Sequence, residues 1–158
     1  MARKRTRNLL AATAAIAIAT AGCTTTGESP TPAGADGATT VAVTLQEWSV
    51  LPASDSAPAG DIMFEVTNDG PEDIHEFVIL KTDLDPGELP TDENGAVTEE
   101  GEGIEVIDEI EDIPVGETQE LTTTLEAGSY VLLCNIWDEE EGEAHYTVGM
   151  RTAFSVTD

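Results

Sequence analysis

The sequence predicts an all-β sandwich of about seven to eight strands over residues 41–158. Three observations carry this expectation. Short apolar runs alternate with a period of two, turn signals of Gly, Pro, Asn and Asp separate them at regular intervals, and helical periodicity is almost absent. One domain accounts for this length, and no internal repeat is visible.

In chain order, Val41, Val43 and Leu45 alternate in VAVTL, and DIMFEVTN follows the Pro and Gly of SAPAG before ending at the turn NDGPED. In IHEFVILK the alternation sets His75, Phe77 and Ile79 on one face and Ile74, Val78 and Leu80 on the other. Apolar residues on both faces predict a central strand covered on both sides, with the next segment, the long acidic loop TDLDPGELPTDENGAVTEEGEG, as a candidate cover. IEVIDEIEDI is ambiguous, because Ile104, Ile107, Ile110 and Ile113 repeat at three residues. Its β-branched composition and the turn at Pro114 and Gly116 favour strand or irregular structure. ETQELTTTLE and SYVLLCN read as two strands joined at Ala127-Gly128, and RTAFSVT is the last strand.

Ahead of the domain, MARKRTRNLLAATAAIAIATAGC sets a basic cluster before an apolar stretch from Leu9 to Ile18. That outline is a secretory signal over residues 1–22, and the stretch is too short to span a membrane. Thr20-Ala21-Gly22-Cys23 resembles the lipobox of bacterial lipoproteins, which implies acylation of Cys23 as the mature N-terminus. The alternative is an ordinary signal peptide with an incidental Cys23. Residues 23–40, rich in Thr, Gly, Pro and Ala, then read as a lipidated N-terminus and flexible tether. The expected location is the extracytoplasmic side of the cell membrane, reached through the lipid alone.

Removing residues 1–22 leaves Lys81 and Arg151 against 32 acids, a formal charge of 2 − 32 = −30. Nucleic acid and anionic lipid surfaces are disfavoured as partners. Two readings of the acidity stay open: adaptation to high salt, and attraction of a basic protein partner.

The chemistry concentrates at the C-terminal end. In SYVLLCN the period of two places Tyr130, Leu132 and Cys134 on one face, with Cys134 where the strand enters an acidic loop. If Cys23 is acylated, Cys134 has no disulfide partner, so it is either a small buried hydrophobe or a ligand. The chain has two histidines, His75 on a core-facing strand and His145 in the loop leaving the Cys134 strand, and Met150 follows. Any one of these residues is ordinary core or surface. Together, a thiolate, two imidazoles and a thioether form a soft set that suits copper better than zinc, magnesium or calcium.

These residues resemble a known family, the cupredoxins, whose members include plastocyanin and azurin, over essentially all of residues 41–158. GSYVLLC is similar to the family's Gly-x-Tyr-x-x-x-Cys strand, HYTVGM to its C-terminal His and Met, NDGPEDIHEFVI to the strand bearing the first ligand, and AFSV to the closing strand. The resemblance implies a Greek-key sandwich with one mononuclear type 1 copper held by His75, Cys134, His145 and Met150. It further implies a non-enzymatic electron-transfer protein, monomeric, with a redox protein as partner and His145 at the exposed edge of the site. Two alternatives from other classes are a copper storage or delivery protein and a metal-free interaction module. Multicopper catalysis is disfavoured, since a second copper would need further histidines. Two departures stand out: ten residues separate Cys134 from His145, a longer gap than in small cupredoxins, and Glu76 occupies a position where many members carry a small polar residue.

Overall fold

The computed structural model describes residues 37–158. The signal, Cys23 and most of the tether lie outside the described residues. Eleven strands and one helical turn follow in order: β1 (Thr39–Gln46), β2 (Ser49–Pro52), β3 (Ser56–Pro58), β4 (Gly60–Asn68), β5 (His75–Lys81), β6 (Glu105–Ile113), β7 (Thr118–Leu125), β8 (Gly128–Leu133), β9 (Trp137–Asp138), β10 (Glu143–Ala144), α1 (His145–Val148) and β11 (Arg151–Thr157). The strand count exceeds the expectation because β2, β3, β9 and β10 are too short for an alternation to show. The segment IEVIDEIEDI is mostly strand, as its β-branched content required, despite the three-residue repeat of isoleucines.

One sheet runs β2-β1-β4-β7 and the other β3-β11-β8-β5-β6, with β9 and β10 as a separate two-stranded ladder. Pairing is mixed. β1 lies parallel to β4 and β3 parallel to β11, while β4–β7, β5–β6, β5–β8 and β8–β11 are antiparallel.

The inward faces of the two sheets meet in one core containing Val43, Leu45, Ile62, Phe64, Phe77, Ile79, Leu132 and Phe154. Phe64 anchors it, with ring centroids 5.4 Å from Phe77 and 5.7 Å from Phe154. Such aromatic packing adds to the burial that drives the two sheets together. A second, smaller core lies on the outer face of the five-stranded sheet, where Leu89 and Val97 of the acidic loop cover Val78, Leu80, Val131 and Leu133. The loop therefore supplies the outer cover that the two-faced pattern of β5 demanded. Ile74 is the exception to that pattern: it precedes the strand and is exposed.

Candidate metal centre

Sheet order brings the site together. β8 lies between β5 and β11, antiparallel to both, so the C-terminal end of β8 sits beside the N-terminal ends of its neighbours. His75 opens β5, Cys134 follows the last residue of β8, and Met150 precedes β11. The Cys134 amide donates to the Met150 carbonyl at 3.0 Å, which ties the two together through the backbone.

His145 arrives by a different route. The stretch after Cys134 folds back on itself as β9 and β10, with Asp138 opposite Glu143 and Trp137 opposite Ala144. The helical turn α1 then begins at His145, whose amide donates to the Ile136 carbonyl and whose carbonyl accepts from the Met150 amide. Gly149 ends the turn at a φ of 134°, and a Cβ there would stand 2.8 Å from the Trp48 carbonyl oxygen. Only glycine meets both demands.

His75 Nδ1 lies 3.3 Å from His145 Nδ1, and Cys134 Sγ lies 3.4 Å from His145 Nδ1 and 4.0 Å from His75 Nδ1. All three side chains are buried and form the one cluster of this kind among the described residues. Donors in a trigonal plane around one small transition-metal ion, at bond lengths of about 2.0–2.3 Å, stand about 3.5–3.8 Å apart. The observed sides, 3.3, 3.4 and 4.0 Å, fall on either side of that spacing, so shifts of a few tenths of an ångström would seat an ion. Met150 is fully buried, belongs to the same core cluster as Cys134 and is tied to it through the backbone, so a thioether lies nearby. Two imidazoles, a thiol and a thioether are a donor set that fits copper.

The surroundings hold these donors in place and keep water out. Burial, reinforced by the neighbouring His145, depresses His75 to about 4, and burial lowers His145 as well, so both rings are neutral and able to donate electron pairs. Burial pushes the Cys134 thiol up to about 12, against the opposing pull of the Glu76 and Ile136 amides. The Glu76 amide donates to Cys134 Sγ at 3.4 Å, while its carboxylate accepts from the Asn135 amide at 2.7 Å. Glu76 thus bonds to the cysteine loop despite its unusual identity. Burial raises its carboxyl to about 7.

One expectation is corrected. His145 is only 1% exposed, so it does not stand at an open edge. The long loop has room to fold the β9–β10 ladder beside it, and the Trp48 ring meets it edge-on at 5.0 Å. The ring still borders a shallow hollow, shared with Ile136, Trp137, Asp138 and Glu139.

Three further residues shape the site and left no signal in the sequence. Asn68 is fully buried, with Nδ2 donating to the Asp73 and Ile113 carbonyls and Oδ1 accepting from the Gly70 amide, so it fixes the loop that leads into His75. Asn135 exchanges two hydrogen bonds with the Val97 backbone and clips the acidic loop to the cysteine loop. Glu47 reaches under the 69–74 loop from the β1–β2 turn. Burial alone would raise its carboxyl, but hydrogen bonds from backbone amides, that of Asp73 foremost, outweigh it and hold the group below the usual range.

No family model and no curated protein matches this chain. Solved structures do. Reduced auracyanin from the photosynthetic bacterium Roseiflexus castenholzii aligns over 77% of this chain and 98% of its own, with 21% identity and a TM-score of 0.53. Auracyanin A, a "blue" copper protein from the green thermophilic photosynthetic bacterium Chloroflexus aurantiacus, aligns over 77% of this chain and 100% of its own, with 18% identity and a TM-score of 0.51. Likeness at this level establishes the fold, a cupredoxin-like β-sandwich.

Proposed function

We propose that this chain is a type 1 copper-binding electron-transfer protein, held at the cell envelope by a lipidated Cys23. The observation that carries the reading is the convergence of His75 Nδ1, Cys134 Sγ and His145 Nδ1 in one buried triangle. These three residues would hold the ion, with Met150 as the weak fourth donor. When bound, copper supplies a one-electron couple between Cu(II) and Cu(I).

The chain's own part is to keep that couple cheap to operate. Backbone bonds from Cys134 to Met150 and from Met150 to His145 lock the ligand segments to one another, so the donors are set before any ion arrives. The Glu76 amide withdraws charge from the Cys134 sulfur. Apolar neighbours exclude water, so little solvent must reorganise when charge changes. Burial of every donor favours retention of the metal over delivery. Both histidines of the chain serve this one site, which leaves no histidine for a second, catalytic copper.

The hollow beside His145 is the expected place of electron exchange, and Glu72, Asp73, Asp138 and Glu139 around it favour a basic redox partner. The envelope location rests on the sequence of residues 1–23.

Cyclic voltammetry of the copper-loaded mature protein tests the function: a reversible one-electron wave with full retention of metal is expected. Release of copper on reduction would overturn the electron-transfer reading in favour of delivery. In the same cells Cys23→Ser should move the protein out of the membrane fraction or leave an unprocessed precursor. Undiminished membrane retention of the processed variant would overturn the anchor.

A further inference from the structure

Behind His75, on the side away from the donor triangle, lies a carboxylate with no role in the resemblance to the family. Glu47 sits between β1 and β2, its side chain only 12% exposed. Its Oε1 accepts from the Asp73 amide at 2.9 Å and the Glu72 amide at 3.3 Å, and stands 3.8 Å from His75 Nε2. Its Oε2 is buried without a hydrogen-bond partner. So is His75 Nε2.

An unsatisfied buried acceptor and an unsatisfied buried ring nitrogen are each costly. The nearer oxygen of this carboxylate stands 3.8 Å from the ring nitrogen, beyond hydrogen-bond length, so a small movement of the Glu47 side chain would pair a donor with an acceptor. The loop above is shaped to permit the arrangement: a Cβ on Gly70 would stand 2.6 Å from Glu47 Oε1 and 2.8 Å from Oε2, so a larger residue there would push the carboxylate aside. Asn68, which binds both the Gly70 amide and the Asp73 carbonyl, holds that loop down.

We propose that Glu47 is a positioning residue for His75, its carboxylate taking the Nε2 proton in a hydrogen bond and thereby fixing the tautomer that leaves Nδ1 free to bind copper. The inference rests on the copper reading given above. Its consequence is electrostatic as well as geometric. A fixed negative charge behind a ligand makes the imidazole a better donor, and it favours Cu(II), the more positive state, over Cu(I).

The test is Glu47→Gln in the full mature chain, which keeps an oxygen for the Asp73 and Glu72 amides and removes the charge. Cu(II) affinity should fall by about tenfold while Cu(I) affinity changes little. For a one-electron couple that ratio is a rise of about 59 mV in reduction potential. Gly70→Ala, which displaces the carboxylate without neutralising it, should shift the potential in the same direction. Asp69→Asn, at an exposed acid on the same loop, should leave the potential in place. Equal losses in both affinities, or none in either, would overturn the proposal, as would an equal shift in Asp69→Asn.

A second readout needs no copper. Nitrogen-15 NMR of the metal-free protein should find His75 protonated at Nε2 alone in the native chain and a mixture of tautomers in Glu47→Gln. An unchanged tautomer would overturn the pairing. A native chain that takes up no copper would defeat the copper reading, and the tautomer would still decide the role of Glu47.

Discussion

Cys134 shows how much a single residue's environment decides. Burial holds its thiol far above the ordinary range, so the sulfur keeps its proton at neutral pH until a cation displaces it. The histidines are shifted the opposite way, so each is already neutral and carries no second ring proton to release. At about pH 8, copper uptake should therefore release about one proton per chain, and affinity should weaken as pH falls because the proton competes for the sulfur. Calorimetry in buffers of different ionisation enthalpy measures the number. Cys134→Ser should release none, and release of two or more protons by the native chain would contradict the neutral state of the histidines. His75, Cys134 and His145 were legible in the sequence because scarce residue types fell at strand ends in a familiar order. Glu47, Asn68 and Asn135 were not, since one more Glu in a chain of 32 acids and two Asn at turns carry no mark of burial. Only tertiary folding distinguishes them.

Among the elements, the long strands announced themselves by period and the short ones could not. β4 alternates cleanly, and β5 and β8 carry apolar residues on both faces because each is covered twice. The ladder of β9 and β10 has two residues a side, too few for any pattern, so the burial of His145 beside it left no mark in the sequence. The acidic loop between β5 and β6 was legible as a cover but not in its fastening. That fastening is Tyr146, buried in α1, whose hydroxyl accepts from the Leu89 amide at 3.1 Å and donates to the Pro86 carbonyl at 2.8 Å. Arg151 braces it by stacking on the ring and donating to the Tyr146 carbonyl. Tyr146→Phe strands a buried amide and should cost about 1–3 kcal/mol in urea unfolding. Its visible spectrum when loaded should stay as in the native protein, because the hydroxyl bonds to the outer loop and not to the donors. An unchanged unfolding midpoint would show that the loop is fastened elsewhere.

Over the whole molecule, charge and topology act separately. Lys81 is paired with Glu126 at 3.1 Å and Arg151 is engaged with Tyr146, so among the described residues nearly all of the acids have no cationic partner. Such a surface repels itself and is relieved by salt, whichever of the two origins of its acidity holds. The fold tolerates it because the core is built from the inward faces of two sheets and needs no surface pairing. What remains specific is one buried triangle at one end of the sandwich. The measurement that bears on it most directly is the visible spectrum of the purified mature protein during titration with Cu(II). An intense blue or green band from thiolate-to-copper charge transfer should grow to saturation at one equivalent, and Cys134→Ser should show none. A colourless native protein, or a Cys134→Ser variant with the same band, would contradict a copper centre built on His75, Cys134 and His145.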